Sequence, residues 1–352
     1  MGATPTSATT GLPDVIVNAE DRSSEEDALK ILVLSILKHY PDPPPIHLIC
    51  PNATPAFERW AGSRSGVVLS REPLEQAAGF NVKPQAFERL FDLGCRKVFW
   101  LDNDVALGPS FEAKTRGRLV APCLVCEEPR VSQHPAPQTL TRALGREVGR
   151  PLPRVINTGA LSISVAHRSL VGAWKQVLLS EEYRAAQAAP WNERPAHFMG
   201  DQEVLTALLG SSDFAAVPVA YLREGDDIIQ MFGPAGYAPG DRLRNANRGL
   251  PALVHSMGHK PWRPGAAGGR SKLRDRYDDL HGELSPYAYV ARDVVGDDRD
   301  AYPWLFRRSV IGGAMRALSG DNPALAGLPL ALFDGAVRRA KRLLKIDRMK
   351  TG

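Results

Sequence analysis

Residues 97–108 read KVFWLDNDVALG. Val98, Phe99, Trp100 and Leu101 form an unbroken apolar run, the pattern of a strand covered on both faces. Asp102 and Asp104 follow at once. In an open α/β sheet, ligands bind beyond the carboxyl ends of the strands. Two carboxylates one residue apart at such an end can both reach a hard divalent cation. Oxygen donors suit magnesium or manganese, ions that commonly share their shell with a substrate diphosphate. The tripeptide by itself says little. A second Asp-x-Asp stands at Asp298-Arg299-Asp300 in a polar stretch, where turn and capping roles are the ordinary use of Asp. The buried strand before Asp102 separates the two.

The sequence on either side has an α/β rhythm. Apolar runs predict strands over 14–17, 46–50, 67–69, 97–101, 118–126, 155–165 and 216–221. Helical periodicity falls between them, over 26–37, 84–93, 167–179 and 200–209. Ser23 and Glu26 have the spacing of a capping box at the start of the first helix. Strands alternating with helices argue for a largely parallel sheet covered on both faces. Residues 127–154 and 190–197 read as loops, as does the Gly/Arg/Asn stretch 233–249. Residues 1–12 read as a disordered leader, 13–270 as the α/β domain, and 271–352 as a charged linker followed by a helical, basic region.

Composition is that of an ordinary globular chain: 352 residues, 43% hydrophobic and 24% charged, with a formal charge of +5. Much of the excess lies in residues 336–350, which hold seven Lys/Arg and one Asp. A nucleic-acid binder would spread its basic residues more widely. Cys50 and Cys95 sit in apolar runs. Cys123 and Cys126 have C-x-x-C spacing without a second ligand pair, so they read as strand residues. This usage fits a reducing cytoplasm. The N-terminal sequence lacks the apolar stretch of a secretory signal.

Four segments give a resemblance. FWLDNDVALG (99–108) resembles the strand and DxD of the GT-A glycosyltransferases. Asn157-Thr158-Gly159 resembles their N-x-G strand, and Gly200-Asp201-Gln202 their DQ helix start. HSMGHKPW (255–262) is similar to the H-x-x-G-x-x-K-P-W signature of the family 8 retaining enzymes, one residue shorter between Gly258 and Lys260. Lys83 stands where this group keeps a basic residue near the donor. The motifs arrive in the family's order over residues 14–262. The resemblance implies a Rossmann-like mixed sheet flanked by helices, the GT-A fold, with a helical C-terminal appendage.

The resemblance also implies an activity, namely transfer of a sugar from a nucleotide-diphosphate donor, with UDP as the nucleotide, to an acceptor whose identity it leaves open. Asp102, Asp104 and His255 would hold Mn²⁺ or Mg²⁺. Asp102, Asn103, Lys83, Asn157, Gly159, Gly258 and Lys260 would bind the donor, Lys260 at the diphosphate. Asp201 and Gln202 would stand beside the transferred sugar. A Gln cannot serve as a general base at neutral pH, so a retaining reaction would rely on front-face attack assisted by the leaving phosphate. Plainer uses exist for several residues. Asp201 could be an N-cap, Asn157 could satisfy turn backbone, and Trp262 could be core rather than a stacking platform for sugar or base.

Residues 332–350 place Leu332, Phe333, Ala336, Val337, Ala340, Leu343 and Leu344 at helical spacing among Arg and Lys. Such a helix can lie on an anionic membrane surface, which would put the protein on a cytoplasmic membrane face. It can equally pack on the catalytic domain. Three rival functions are a haloacid dehalogenase-type phosphatase, using Gly225-Asp226-Asp227 as its late acidic motif, a nucleotidyltransferase, whose Gly-rich loop after the first strand is not matched by residues 18–22, and a non-catalytic sugar-nucleotide-binding module.

Overall fold

The computed structural model describes residues 11–75, 81–130, 132, 134–258, 260–263 and 272–344. Most of the leader lies outside them, as do His259, the boundary expected near 270, and the end of the basic tail. The strands are β1 (Val15–Ala19), β2 (Ile46–Ile49), β3 (Val67–Ser70), β4 (Lys97–Leu101), β5 (Val105–Leu107), β6 (Cys123–Glu127), β7 (Ile156–Ser164), β8 (Val219–Leu222), β9 (Ile228–Gln230) and β10 (Leu253–His255). Seven form a mixed sheet in the order β3-β2-β1-β4-β7-β6-β8. Only β7 is antiparallel, to both β4 and β6. The other pairings are parallel, as the alternation of strands and helices predicts.

β4 occupies the middle of this sheet, and all five of its residues are buried. Its side chains alternate between two cores. Val98 and Trp100 pack with the helices Val82–Asp92, Arg168–Leu179 and Asp201–Leu209. Phe99 and Leu101 pack with Glu26–His39 and Pro55–Gly62. Each such side chain contributes about 1.5–3 kcal/mol when fully buried. A one-residue slip would exchange the two faces, so the register that places Asp102 at the strand end is strongly held.

A second sheet, β5-β10-β9, lies beyond the end of β4. β5 pairs antiparallel with β10, bringing Val105 opposite His255. A third core packs against this sheet. It joins Ala106, Ile229 and Val254 to Trp262 and Tyr287. Trp262 is therefore a core residue, with its ring 5.4 Å from Tyr287 and 6.1 Å from Trp304.

Several expectations change. The stretch 118–126 is not one strand. A 3₁₀ turn, Arg116–Val120, precedes β6, and Pro122 between them has no N–H to extend the ladder. The expected loop 233–249 contains a helix, Pro239–Arg248. Buried polar bonds tie it down rather than an apolar stripe. Arg242 donates to the carbonyls of Tyr237 and Ala324, both at 2.9 Å, and Asn245 to that of Gly225 at 2.8 Å. The capping box does not form, since Ser23 lies inside a 3₁₀ turn, Ser23–Glu25, and the helix Glu26–His39 has Glu25 at its N-cap. Glu26 instead accepts from the Thr54 backbone N–H at 2.7 Å and hydroxyl at 2.8 Å. Helices also occupy Lys272–Leu284 and Pro286–Val295 in the charged C-terminal stretch. Among the described residues no helix is long and apolar enough to cross a membrane.

Candidate functional site

The end of β4 is pinned by its neighbour. The Asp102 N–H donates to Gly159 O on β7 at 2.8 Å, and Trp100 Nε1 donates to Asp102 Oδ1 at 2.6 Å. The chain then turns into β5. Across that pairing, Ser256 N–H donates to Asp104 O at 2.9 Å. Two sheets thus deliver Asp102 and Asp104 from one side and His255 from the other. Gly159 makes room for this meeting, because a Cβ there would stand 2.3 Å from His255 Cε1.

Asp102, Asp104 and His255 each offer a ligand atom, and these atoms lie within 4.8 Å of one another. His255 Nε2 is 3.1 Å from Asp104 Oδ1 and 4.0 Å from Asp102 Oδ2. The ammonium of Lys260 sits on the other oxygen of Asp104. Burial opposes ionisation of Asp104, but Lys260 and His255 outweigh it and hold the carboxyl well below its usual range. Two ionised oxygen donors and an imidazole fit a Mn²⁺- or Mg²⁺-type cation, with positions left for a substrate.

Lys83 is buried next to this group. Its ammonium lies 3.3 Å from Asp102 Oδ1 and 3.1 Å from Asp201 Oδ2, and it donates to Thr158 Oγ1 at 2.7 Å. Thr158 donates onward to Asp201 Oδ2 at 3.0 Å. Burial works against the charge on Lys83, yet the two carboxylates outweigh it and raise its pKa. Burial raises the pKa of Asp201. The N-cap position is occupied by Gly200 and Asp201 is the first residue of the helix, so the capping role does not describe it.

Asn157 and Gln202 meet on the far side of Asp201. Asn157 Oδ1 accepts the Gly159 N–H at 2.9 Å, while its Nδ2 donates to Glu128 Oε2 at 2.9 Å and Gln202 Oε1 at 3.1 Å. Gln202 Nε2 donates to Glu203 Oε1 at 3.0 Å. His134 stands between the two carboxylates, with Nε2 3.3 Å from Glu128 and Nδ1 3.3 Å from Glu203. Burial pushes Glu203 up to about 7. Sequence reasoning missed Glu128, His134, Glu203 and Thr158. Glu203, next to Gln202, was within reach of the DQ motif, whereas His134 lies in a Pro- and Gln-rich loop that carries no signal.

These residues line one cleft of about 1190 Å³, ample for a ligand the size of a nucleotide sugar. Two loops contribute to it, through Ser132 and His134 and through Trp191, Asn192 and Met199. Asn103 lines it too, with its amide donated to Glu20 at 2.5 Å and Glu25 at 3.4 Å. Gly258 borders the loop after β9, where a Cβ would be 3.4 Å from Met231 O. Other motifs lie elsewhere. Asp227 pairs with Arg118 at 3.2 Å and does not line the cleft. Asp298 caps a turn by accepting the Ala301 N–H at 3.2 Å. Cys123 and Cys126 are buried free thiols on β6.

No protein-family model and no curated protein matches this chain. Solved structures similar to it are GT-A glycosyltransferases, matched over most of the chain. The bifunctional glycosyltransferase WbbM is 15% identical over 74% of this chain, with a TM-score of 0.46, and this chain spans 48% of its length. The galactosyltransferase LgtC, solved with donor and acceptor sugar analogues, is 20% identical over 82% of this chain and 99% of its own, with a TM-score of 0.45. The glycosyltransferase GlyE of Streptococcus pneumoniae TIGR4 is 14% identical over 79% of this chain and 63% of its own, with a TM-score of 0.44.

Proposed function

We propose that this protein is a metal-dependent glycosyltransferase that takes a sugar from a nucleotide-diphosphate donor, a UDP-sugar by the family 8 resemblance, and transfers it with retention. The observation that carries the reading is the convergence of Asp102, Asp104 and His255 in a cleft also lined by Lys83, Asn157, Asp201 and Lys260. When bound, Mn²⁺ or Mg²⁺ would serve as a Lewis acid toward the departing nucleoside diphosphate. Asp102, Asp104 and His255 would hold it. Lys260 would leave Asp104 for the diphosphate, acting as a point charge.

The remaining residues orient the sugar. Lys83 and Asp201 offer a buried ammonium and carboxylate to its hydroxyls. Asn103, Asn157 and Gly159 border the donor, and Gln202 lies beside the anomeric carbon; Gly258 does not line the cleft and packs instead against Met231. In the reaction, the bond from that carbon to the diphosphate oxygen breaks, and the acceptor hydroxyl oxygen bonds to it on the same face. The hydroxyl proton passes to the leaving diphosphate. The test is nucleotide release from a panel of UDP-, GDP- and ADP-sugars with and without Mn²⁺. No turnover and no metal-dependent nucleotide binding would defeat the reading. An inverted product by NMR would defeat the retaining step alone.

The proposal extends to the inner face of an anionic membrane as the place of action. Its support is the C-terminal helix Leu328–Leu343, which buries Leu330 and Ala331 but leaves Leu332, Phe333, Leu343 and the following Leu344 exposed.

A further inference from the structure

Asn157, Gln202, Glu203, His134 and Glu128 close into a ring of hydrogen bonds and ion pairs on the wall of the cleft. The direction of each bond can be deduced from one fixed point. The Gly159 backbone N–H can only donate, so the Asn157 atom it meets is the carbonyl oxygen. That turns Asn157 Nδ2 toward Glu128 and toward Gln202, whose contacting atom must then be Oε1. The Gln202 amide nitrogen is thereby turned to Glu203. Ionised carboxylates only accept. Where Glu128 and Glu203 are both ionised, an imidazole between them satisfies both only when both of its nitrogens carry protons; a protonated Glu203, pushed up to about 7 by burial, donates to a neutral ring instead.

We infer that His134 is a positioning residue which, as an imidazolium between Glu128 and Glu203, holds in place the two carboxylates that accept from the Asn157 and Gln202 amides and so anchors Gln202 in the cleft. The inference rests on the reading of Gln202 as the residue beside the reacting carbon. An amide side chain has a broad, two-fold torsional preference at its last bond, so nothing intrinsic to Gln202 decides which end faces the donor. The ring decides it. Without the proton on His134, two buried carboxylates face each other unneutralised, and burying such charges unpaired is expensive. The ring then opens, and Gln202 loses the fixed carboxylate that accepts from its amide nitrogen.

The charged groups facing His134 among the described residues are Glu128, which follows β6, and Glu203, on the helix Asp201–Leu209. Burial works against its protonation, but both carboxylates favour it and raise its pKa above the ordinary value. The sign follows from this. The imidazolium is present below the raised pKa, and it is lost as pH rises through it. Activity that depends on the ring falls on the alkaline side.

The test uses the full chain with Mn²⁺ and whichever donor of the panel turns over, comparing wild type, His134→Ala and His134→Gln across about pH 5.5–9. We expect kcat to fall about tenfold or more in both variants while KM for the donor changes less than about threefold. The alkaline decline of the wild type should be lost with the imidazole. An unchanged kcat, a KM effect equal to the kcat effect, or an alkaline limb that survives would overturn the inference. NMR supplies a readout independent of turnover. The His134 ring should titrate above about 6.5 and fall toward that value in Glu203→Gln, and the Gln202 side-chain NH₂ signals should be slowly exchanging in wild type and lose that protection in His134→Ala. A His134 that titrates at its ordinary pKa, or Gln202 amide signals indifferent to its removal, would overturn the inference even if no donor were turned over. Failure of the donor panel would overturn the transferase reading separately.

Discussion

Lys260 rests on one oxygen of Asp104 while His255 Nε2 faces the other at 3.1 Å. One buried carboxylate is thus shared by an ammonium and an imidazole. A cation that binds Asp104 must displace the ammonium, and a diphosphate arriving with the cation gives that ammonium a new partner. Metal and nucleotide should therefore bind cooperatively, with Lys260 as the coupling. Lys260→Met should tighten binding of Mn²⁺ alone and weaken binding of UDP in the presence of Mn²⁺, each by roughly tenfold, a typical coupling of about 1.4 kcal/mol. Calorimetric titration of both variants measures the two constants. If both move in the same direction, the competition does not exist.

Gly159 offers a steric test of the metal group. A methyl group there would overlap the His255 ring, which would have to swing off Asp104. Gly159→Ala should cost about 1–3 kcal/mol in stability, the usual range for overpacking, and should weaken Mn²⁺ binding by at least about tenfold. Gly172 is the control. It lies in the helix Arg168–Leu179 with open space around its Cα, so Gly172→Ala should be neutral or stabilise by up to about 1 kcal/mol. Thermal melts and Mn²⁺ titration of the pair separate a local clash from a general loss of fold.

Lys83 lies between Asp102 and Asp201, and removing its charge strands both carboxylates. Lys83→Met keeps most of the side-chain volume, so the loss should be electrostatic. We expect destabilisation of about 3–5 kcal/mol at pH 7, the cost of breaking a buried ion pair from one side. The loss should shrink in acid, where protonation neutralises the stranded carboxylates. Urea unfolding at pH 7 and pH 4 reads this difference, and equal losses at both pH values would assign the effect to packing.

The parts of this site that could be read from sequence share a feature. Asp102, Asp104, Asn157 and Asp201 all stand at or beside the end of a strand or the start of a helix whose apolar pattern was visible, so the pattern located them, whereas His255, at the end of β10, was legible only through the resemblance. Lys83 was legible only through the resemblance, since nothing in its local sequence foretells burial between two carboxylates. His134 and Glu128 could not be found. His134 meets Glu128 and Glu203 from a loop, and loop geometry leaves no periodicity. The helix Pro239–Arg248 escaped for a related reason, because its buried contacts are polar and a polar pattern reads as a loop. The small sheet β5-β10-β9 was hidden by shortness: three residues per strand are too few for alternation to register.

The C-terminal helix leads to the remaining prediction. Phe333 is 60% exposed and Leu343 77%, and the neighbouring helix Val310–Leu318 leaves Val310 91% and Leu318 89% exposed. Arg339, Lys341 and Arg342 are exposed among the apolar side chains of the C-terminal helix. Arg338, on the same helix, lines the cleft and donates to the Phe232 carbonyl at 3.2 Å. A surface that takes up this helix therefore also lies close to the mouth of the cleft. Each basic residue near an anionic bilayer adds about 1 kcal/mol, and each buried CH₂ about 0.8. The protein should float with liposomes containing phosphatidylserine, less so as salt rises, and weakly with neutral ones. The double variant Phe333→Glu, Leu343→Glu should lose most of this binding while keeping its melting temperature, because both side chains are largely exposed. Flotation of a form truncated after Ala331 that matched the full chain would place the membrane contact elsewhere.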